Sequence, residues 1–165
     1  MIKQLLAFAG EYRIAGVKTF AGRNGVGWSG QLFRGANFIG FVGDDCDGGP
    51  VRIDVKNGHE MNALNAHAYT KMSAQHERTE GFIDELVNYQ AQVKKLQSLA
   101  KKKILLSSGD DTVDAHGVPT AFAQLTAQDT PAVRAKIAAK YPDRQILNDE
   151  VNSFTIPRAS SKTRF

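Results

Sequence analysis

The sequence predicts an α+β fold, in which a small antiparallel β-meander of three to five strands packs against two or more helices. Three observations carry this expectation. Between Arg13 and Lys56, most of the chain's fifteen glycines are interleaved with β-branched and aromatic residues. The turn signals in that stretch leave only short connections, so consecutive strands must run antiparallel, because parallel neighbours need long crossovers. From His59 to Lys103 the texture reverses, with no proline and one glycine, Gly81.

The elements follow in order. Ile2, Leu5, Leu6 and Ala9 recur at helical spacing, and Gly10 is placed to end that short helix. Residues 17–20 read as a strand, and Asn24-Gly25 as a turn, since Asn-Gly tolerates positive φ. Residues 26–33 form a second strand with Trp28, Gly30 and Leu32 on one face, and 34–37 turn the chain. Residues 38–42 give a third strand, and 44–50 a tight loop. Residues 51–56 alternate apolar and charged side chains without a fault, the pattern of a half-buried strand.

As one helix, 59–103 would run about 67 Å at ~1.5 Å per residue. A compact domain of this size is only about 40 Å across, so a break is expected near residues 79–81. In the second half Phe82, Leu86, Tyr89, Val93, Leu96 and Ala100 fall at spacings of four and three. Such a stripe covers a sheet face, or else forms the seam of a homodimer. Lys101, Lys102 and Lys103 complement a helix C-terminus, and Ile104-Leu105-Leu106 reads as a buried strand. A polar loop follows over 107–119. Thr130-Pro131 opens a helix with a capping hydroxyl and a first-turn proline. Val133, Ile137 and Tyr141 give that helix its apolar face, and Pro142 ends it. Residues 1–157 are read as one domain, with the meander at about 13–56 and the helical part at about 59–157. Residues 158–165 form a basic flexible tail.

Composition narrows the function classes. Hydrophobic content of 42% with 23% charged residues excludes wholesale disorder. Cys46 stands alone, so neither an intramolecular disulfide nor a thiolate metal cage can form, which suits a reducing compartment. The apolar run 5–9 is too short for a signal-peptide core or a membrane span. A soluble, cytoplasmic chain with no membrane partner is expected. The net charge of +4 is compatible with nucleic acid without demanding it.

Chemistry-bearing motifs are few. Gly25-Val26-Gly27-Trp28-Ser29-Gly30 matches G-x-G-x-x-G, but a dinucleotide site needs those glycines to open a helix after a strand. Here strand continues, so the glycines are expected to serve a bulge or close backbone packing. Asp44, Asp45 and Asp47 crowd a Gly-rich loop suited either to turn hydrogen bonds or to Mg²⁺ or Ca²⁺. The spacing does not fit an EF-hand. Joined by Asp111, Asp114 and His116 of the later polar loop, these aspartates would make a hydrolytic metal site. His59-Glu60 begins like a zinc-protease helix, yet Ala63 stands where the second ligand belongs. His59, His67 and His76 point in different directions round a helix. No nucleophile elbow, P-loop or Cys-x-x-Cys is present, and Cys46 sits among carboxylates that disfavour its thiolate. No cofactor is expected.

The run from Trp28 to Pro50, an aromatic-Ser-Gly strand, a turn, a Gly-Phe strand and an acidic Gly-Gly-Pro loop, resembles short uncharacterised accessory proteins of tailed phages and prophages. The segments 82–87, 101–105, 131–141 and 146–148 are similar too. Cys46 and Asp47 depart from the pattern, where small or amide residues are more usual. No activity and no catalytic residue carry over. The resemblance implies a phage accessory gene expressed in the bacterial cytoplasm.

Missing catalytic signatures and an amphipathic helix favour binding over catalysis. The first expectation is a host-interaction or anti-defence protein that binds a host protein through Trp28, Phe33, Phe82, Leu86, Tyr89 and Val93. The second is nucleic-acid binding through Lys94, Lys95, Lys101, Lys102, Lys103, Arg158, Lys162 and Arg164, with the strand aromatics Trp28, Phe33, Phe38 and Phe41 available to stack bases. The third is metal-dependent hydrolysis at the two acidic loops.

Overall fold

A computed structural model of the chain describes residues 2–73, 77–107 and 122–159. Helix α1 (Ile2–Ala9) leads into four strands, β1 (Tyr12–Ala21), β2 (Val26–Arg34), β3 (Asn37–Asp44) and β4 (Arg52–Val55). Helices α2 (Gly58–Lys71) and α3 (Arg78–Ala100) follow, then β5 (Ile104–Ser107), β6 (Phe122–Leu125), α4 (Pro131–Lys140) and α5 (Asn148–Asn152). The α+β class and the antiparallel meander are as the sequence predicts. Strands β1 to β4 lie in sequence order, each antiparallel to the next. A second, two-stranded sheet pairs β5 with β6. No helix among the described residues is long and apolar enough to cross a membrane.

The chain divides into two compact units. One holds Met1–Phe8 with Tyr89–Thr155, and the other Ala9–Asn88 with Ile156–Phe165. The boundaries fall at Phe8, within α3, and at Thr155. None falls at Asn57-Gly58, where the sequence passes from meander to helix.

In the meander unit, the inner sheet face is carried by Ile14, Leu32 and Val42, all at most 1% exposed. Three rings pin the helices to it. Tyr12 of β1 meets Phe82 of α3 edge-on at 6.0 Å, and His67 of α2 lies 5.2 Å from Tyr12 and 5.1 Å from Phe82. Gly10, at φ +53°, is required here twice over: it reverses the chain after α1, and a Cβ there would stand 2.6 Å from His67 Cε1. Asn57 caps α2 by accepting from Glu60 N–H at 3.0 Å. Arg34 at the end of β2 donates to both Glu11 and Glu60.

Three expectations shift. The helix break comes earlier than residues 79–81, between Lys71 and Arg78, where Glu77 adopts φ +68°. Gly81 stays helical, its N–H donating to Glu77 O at 3.0 Å, and the terminal methyl of Met72 stands 3.1 Å from where a Cβ would fall. Strand β1 begins at Tyr12, five residues before the expected start, and passes a bulge between Ala15 and Lys18. Strand β6 and helix α5 are additions. Each is four or five residues long, too short for periodicity to declare, and each is held by partners distant in sequence.

In the other unit, Phe8 of α1 packs on Tyr89 at 5.2 Å. Ile104, Leu106 and Ile137 form a buried cluster with Val133, Tyr141 and Ile146 around it. Asn148, 1% exposed, is the polar hub of this unit. Its Oδ1 accepts from Leu105 N–H at 2.8 Å, and its Nδ2 donates to Lys103 O at 2.9 Å and Ala100 O at 3.2 Å. Gln97 likewise donates to Val151 O and Phe154 O. Substituting Asn148→Ala strands three backbone groups at once, and unsatisfied buried groups are costly, so a loss of about 2–4 kcal/mol is expected. Thermal and urea melts of the variant should show it, and an unchanged midpoint would mean that water replaces the amide.

Candidate nucleic-acid interface

Helix α3 has two opposed characters after its midpoint. Tyr89, Val93, Leu96 and Ala100 are buried along one face. Lys94, Lys95, Lys101 and Lys102 are exposed on the other. Lys94 and Lys95 stand on the last two turns of the helix, and Lys101 and Lys102 on the turn that follows its end. The helix ends in the turn Lys101–Lys103, where Lys102 and Lys103 N–H both donate to Leu99 O.

Lysines at a helix C-terminus are ordinarily spent on the terminal carbonyls. Here the Asn148 amide takes that task, binding Ala100 O and Lys103 O. Lys103 Nζ donates to Gln124 Oε1 at 2.8 Å. Lys101 and Lys102 form no ion pair among the described residues. An open cleft of about 360 Å³ lies between this lysine turn and the connection from β6 to α4, lined by Ala100, Lys101, Lys102, Lys103, Thr126, Ala127, Gln128 and Asp129. Asp129, its one acidic wall residue, is held by Arg134 through two bonds of 2.6 and 2.7 Å. Arg134 also binds Asp149. Hydrogen bonding from Arg134 holds the Asp129 and Asp149 carboxyls below their ordinary range, so both stay ionised and share the one guanidinium, leaving a single net negative charge. The lysines of the terminal turn outweigh it in the cleft.

The partner-binding expectation needs correction. Phe33, Phe82, Leu86, Tyr89 and Val93 are between 0% and 4% exposed, so the chain's own core consumes them. The helical seam is thus a core stripe and offers no free face to a host protein or a second copy. Trp28 is half-buried. Phe33 and Phe38, considered for stacking bases, are likewise packed against each other at 5.8 Å, and Phe38 against Phe41 at 5.1 Å. Of the nucleic-acid set, Lys94, Lys95, Lys101, Lys102 and Arg158 are exposed and Lys103 is half-exposed. Lys162 and Arg164 lie outside the described residues.

The acidic loop is built as a turn. Asp44 Oδ1 accepts from Cys46 N–H at 2.7 Å, and Asp47 Oδ1 accepts from Gly49 N–H at 2.9 Å. Asp45 pairs with Arg52 at 2.7 Å. Cys46 takes φ +52°, and its carbonyl accepts from Asn24 N–H, tying this loop to the β1–β2 turn. No group of three or more His, Cys, Asp or Glu side chains among the described residues is arranged to hold a metal. This corrects the expectation for Asp44, Asp45 and Asp47 as a ligand set; Asp111, Asp114 and His116, like His76, lie outside the described residues. Nor does any helix open after Gly30, since β2 runs unbroken to Arg34. A Cβ on Gly27 would meet the Phe20 ring and Asp44 O, and one on Gly30 would meet Ile14. These glycines let neighbouring strands and rings close up.

Sequence inspection missed Asn148, Gln124, Thr126, Gln128 and Asp129. Only Arg134 five residues after Asp129 could have hinted at a pair.

Burial raises the Asp84 carboxyl above its ordinary range, and the nearby Asp44 charge raises it further. A raised folded-state value means stability present below the unfolded value, near 3.9, and lost as pH climbs through the folded one. Asp84→Asn should therefore raise the melting temperature at pH 7 and lose that advantage near pH 3; parallel melts across this range check it. No protein-family model, curated protein or solved structure matches the chain.

Proposed function

We propose that the chain is a binding protein whose ligand is a nucleic acid, gripped through its phosphates by the lysine face and terminal turn of α3. One observation carries this: Asn148 caps the helix end, which leaves Lys101 and Lys102 free to face an open cleft. Lys94 and Lys95 extend the same positive face by two turns. The buried aromatics point to backbone contact without base stacking, hence to weak sequence preference. The resemblance to phage accessory proteins supports a setting in which such a factor acts in a bacterial cytoplasm.

A second reading, binding of a host protein, is favoured by exposed apolar side chains at the end of the β1–β2 hairpin. Phe20 is 41% exposed and Val26 68%, the kind of apolar tip that a protein partner would cover. Capture from host lysate should lose any specific partner on Phe20→Ser with Val26→Ser if that end is used.

For the nucleic acid, fluorescence anisotropy with labelled single- and double-stranded DNA and RNA is the direct test. Four phosphate contacts would weaken binding about 100-fold between 50 and 200 mM salt. Lys101→Glu with Lys102→Glu should abolish binding while leaving the melting temperature near that of the parent. Absence of binding at 50 mM salt, or binding indifferent to the double substitution, would remove the proposal.

A further inference from the structure

The outer face of the four-stranded sheet carries a second feature, unconnected with the lysines. Ala15, Phe33 and Phe38 form a buried cluster at 1%, 4% and 8% exposure, and Phe41 joins its edge. What covers it is the chain's own C-terminal segment, in which Ile156 packs against the cluster. Three residues later Ala159 lies against Gly16, its Cβ 2.9 Å from where a Gly16 Cβ would stand. The segment therefore crosses the strands toward β1, and the bulge beside Ala15, with Gly16 at φ +60°, makes the dent that receives it.

The manner of attachment is unusual for a segment on a sheet. Among the described residues, 156–159 make no backbone–backbone hydrogen bond and no ion pair. Pro157 has no N–H to give, so the segment cannot join the ladder at that point. Its contacts with the sheet are side-chain packing, Ile156 on the aromatic cluster and Ala159 beside Gly16, with Pro157 between them in sequence. A contact with no hydrogen bonds to break can be exchanged for another of the same chemistry.

We infer that the Ala15–Phe33–Phe38–Phe41 face is a groove for an extended peptide bearing an aliphatic residue followed by proline, and that the C-terminal segment is its resident occupant, a strap closing it in cis. Covalent attachment gives the strap an effective concentration on the order of millimolar, so an added peptide competes poorly until the strap is weakened.

The test uses the full chain and a labelled synthetic peptide of residues 153–165, at 150 mM salt to suppress charge attraction. Ile156→Asp should bind this peptide at least 10-fold more tightly than the parent, and the further change Phe38→Ser should abolish that binding. A peptide carrying the same Ile-to-Asp change should not bind. Equal affinity of parent and Ile156→Asp would overturn the inference. Should Ile156→Asp fail to fold, methyl spectra of the unmodified chain decide. Excess unlabelled peptide should shift the Ile156 and Ala159 methyl signals while the inner-face Ile14 and Leu32 methyls stay in place, and unchanged Ile156 and Ala159 signals would refute the groove.

Discussion

Pairing of backbone amides between reversing strands is the constraint on which the meander unit rests. Each strand from β1 to β4 pairs with its neighbour in sequence, and the Gly25–Gly30 stretch runs into β2 and does not open a helix whose N-terminus could cradle a phosphate. The glycines matter at the points of closest approach. At Gly40, a Cβ would fall 2.1 Å from Asp54 O, so the β3–β4 pair can close only if that residue has no side chain. A sequence pattern that matches a cofactor motif is thereby explained by steric packing of strands.

The second unit depends on one buried amide. Asn148 joins the end of α3, the start of β5 and its own helix α5 in a single set of bonds. Because a buried amide binds the terminal carbonyls, the lysines beside them are not needed there. Structure and electrostatics are coupled: the residue that completes the fold also frees the charges that give the cleft its sign. The Asp129–Arg134–Asp149 group works in the same sense, since the guanidinium it shares with Asp149 offsets part of the charge on the one carboxylate that would oppose an incoming anion.

The acidic loop shows how little a cluster of carboxylates says about a metal. Two of its three aspartates accept from amides two residues ahead and the third holds Arg52. Oxygens committed to local turns have little left for a cation.

The order of the strands, the capped start of α4, the buried stripe of α3 and the lysines at its end were all legible in the sequence. Each is written within a few residues: Asn24-Gly25 for a reversal, Thr130-Pro131 for a helix start, 82–100 for an apolar period. The same period could not say whether that stripe meets the chain itself or a partner, because periodicity records that a face is apolar and is silent about what covers it. Strand β6, helix α5, the Asn148 hub and the strap from Ile156 to Ala159 were decided only by tertiary structure. They join residues dozens of positions apart through contacts that leave no local signature, and a five-residue helix or a single buried amide has no stability of its own to announce. Local chemistry thus determined where the chain turns and which faces are apolar or charged. Long-range packing alone decided which faces stay open, and with them where a ligand can bind.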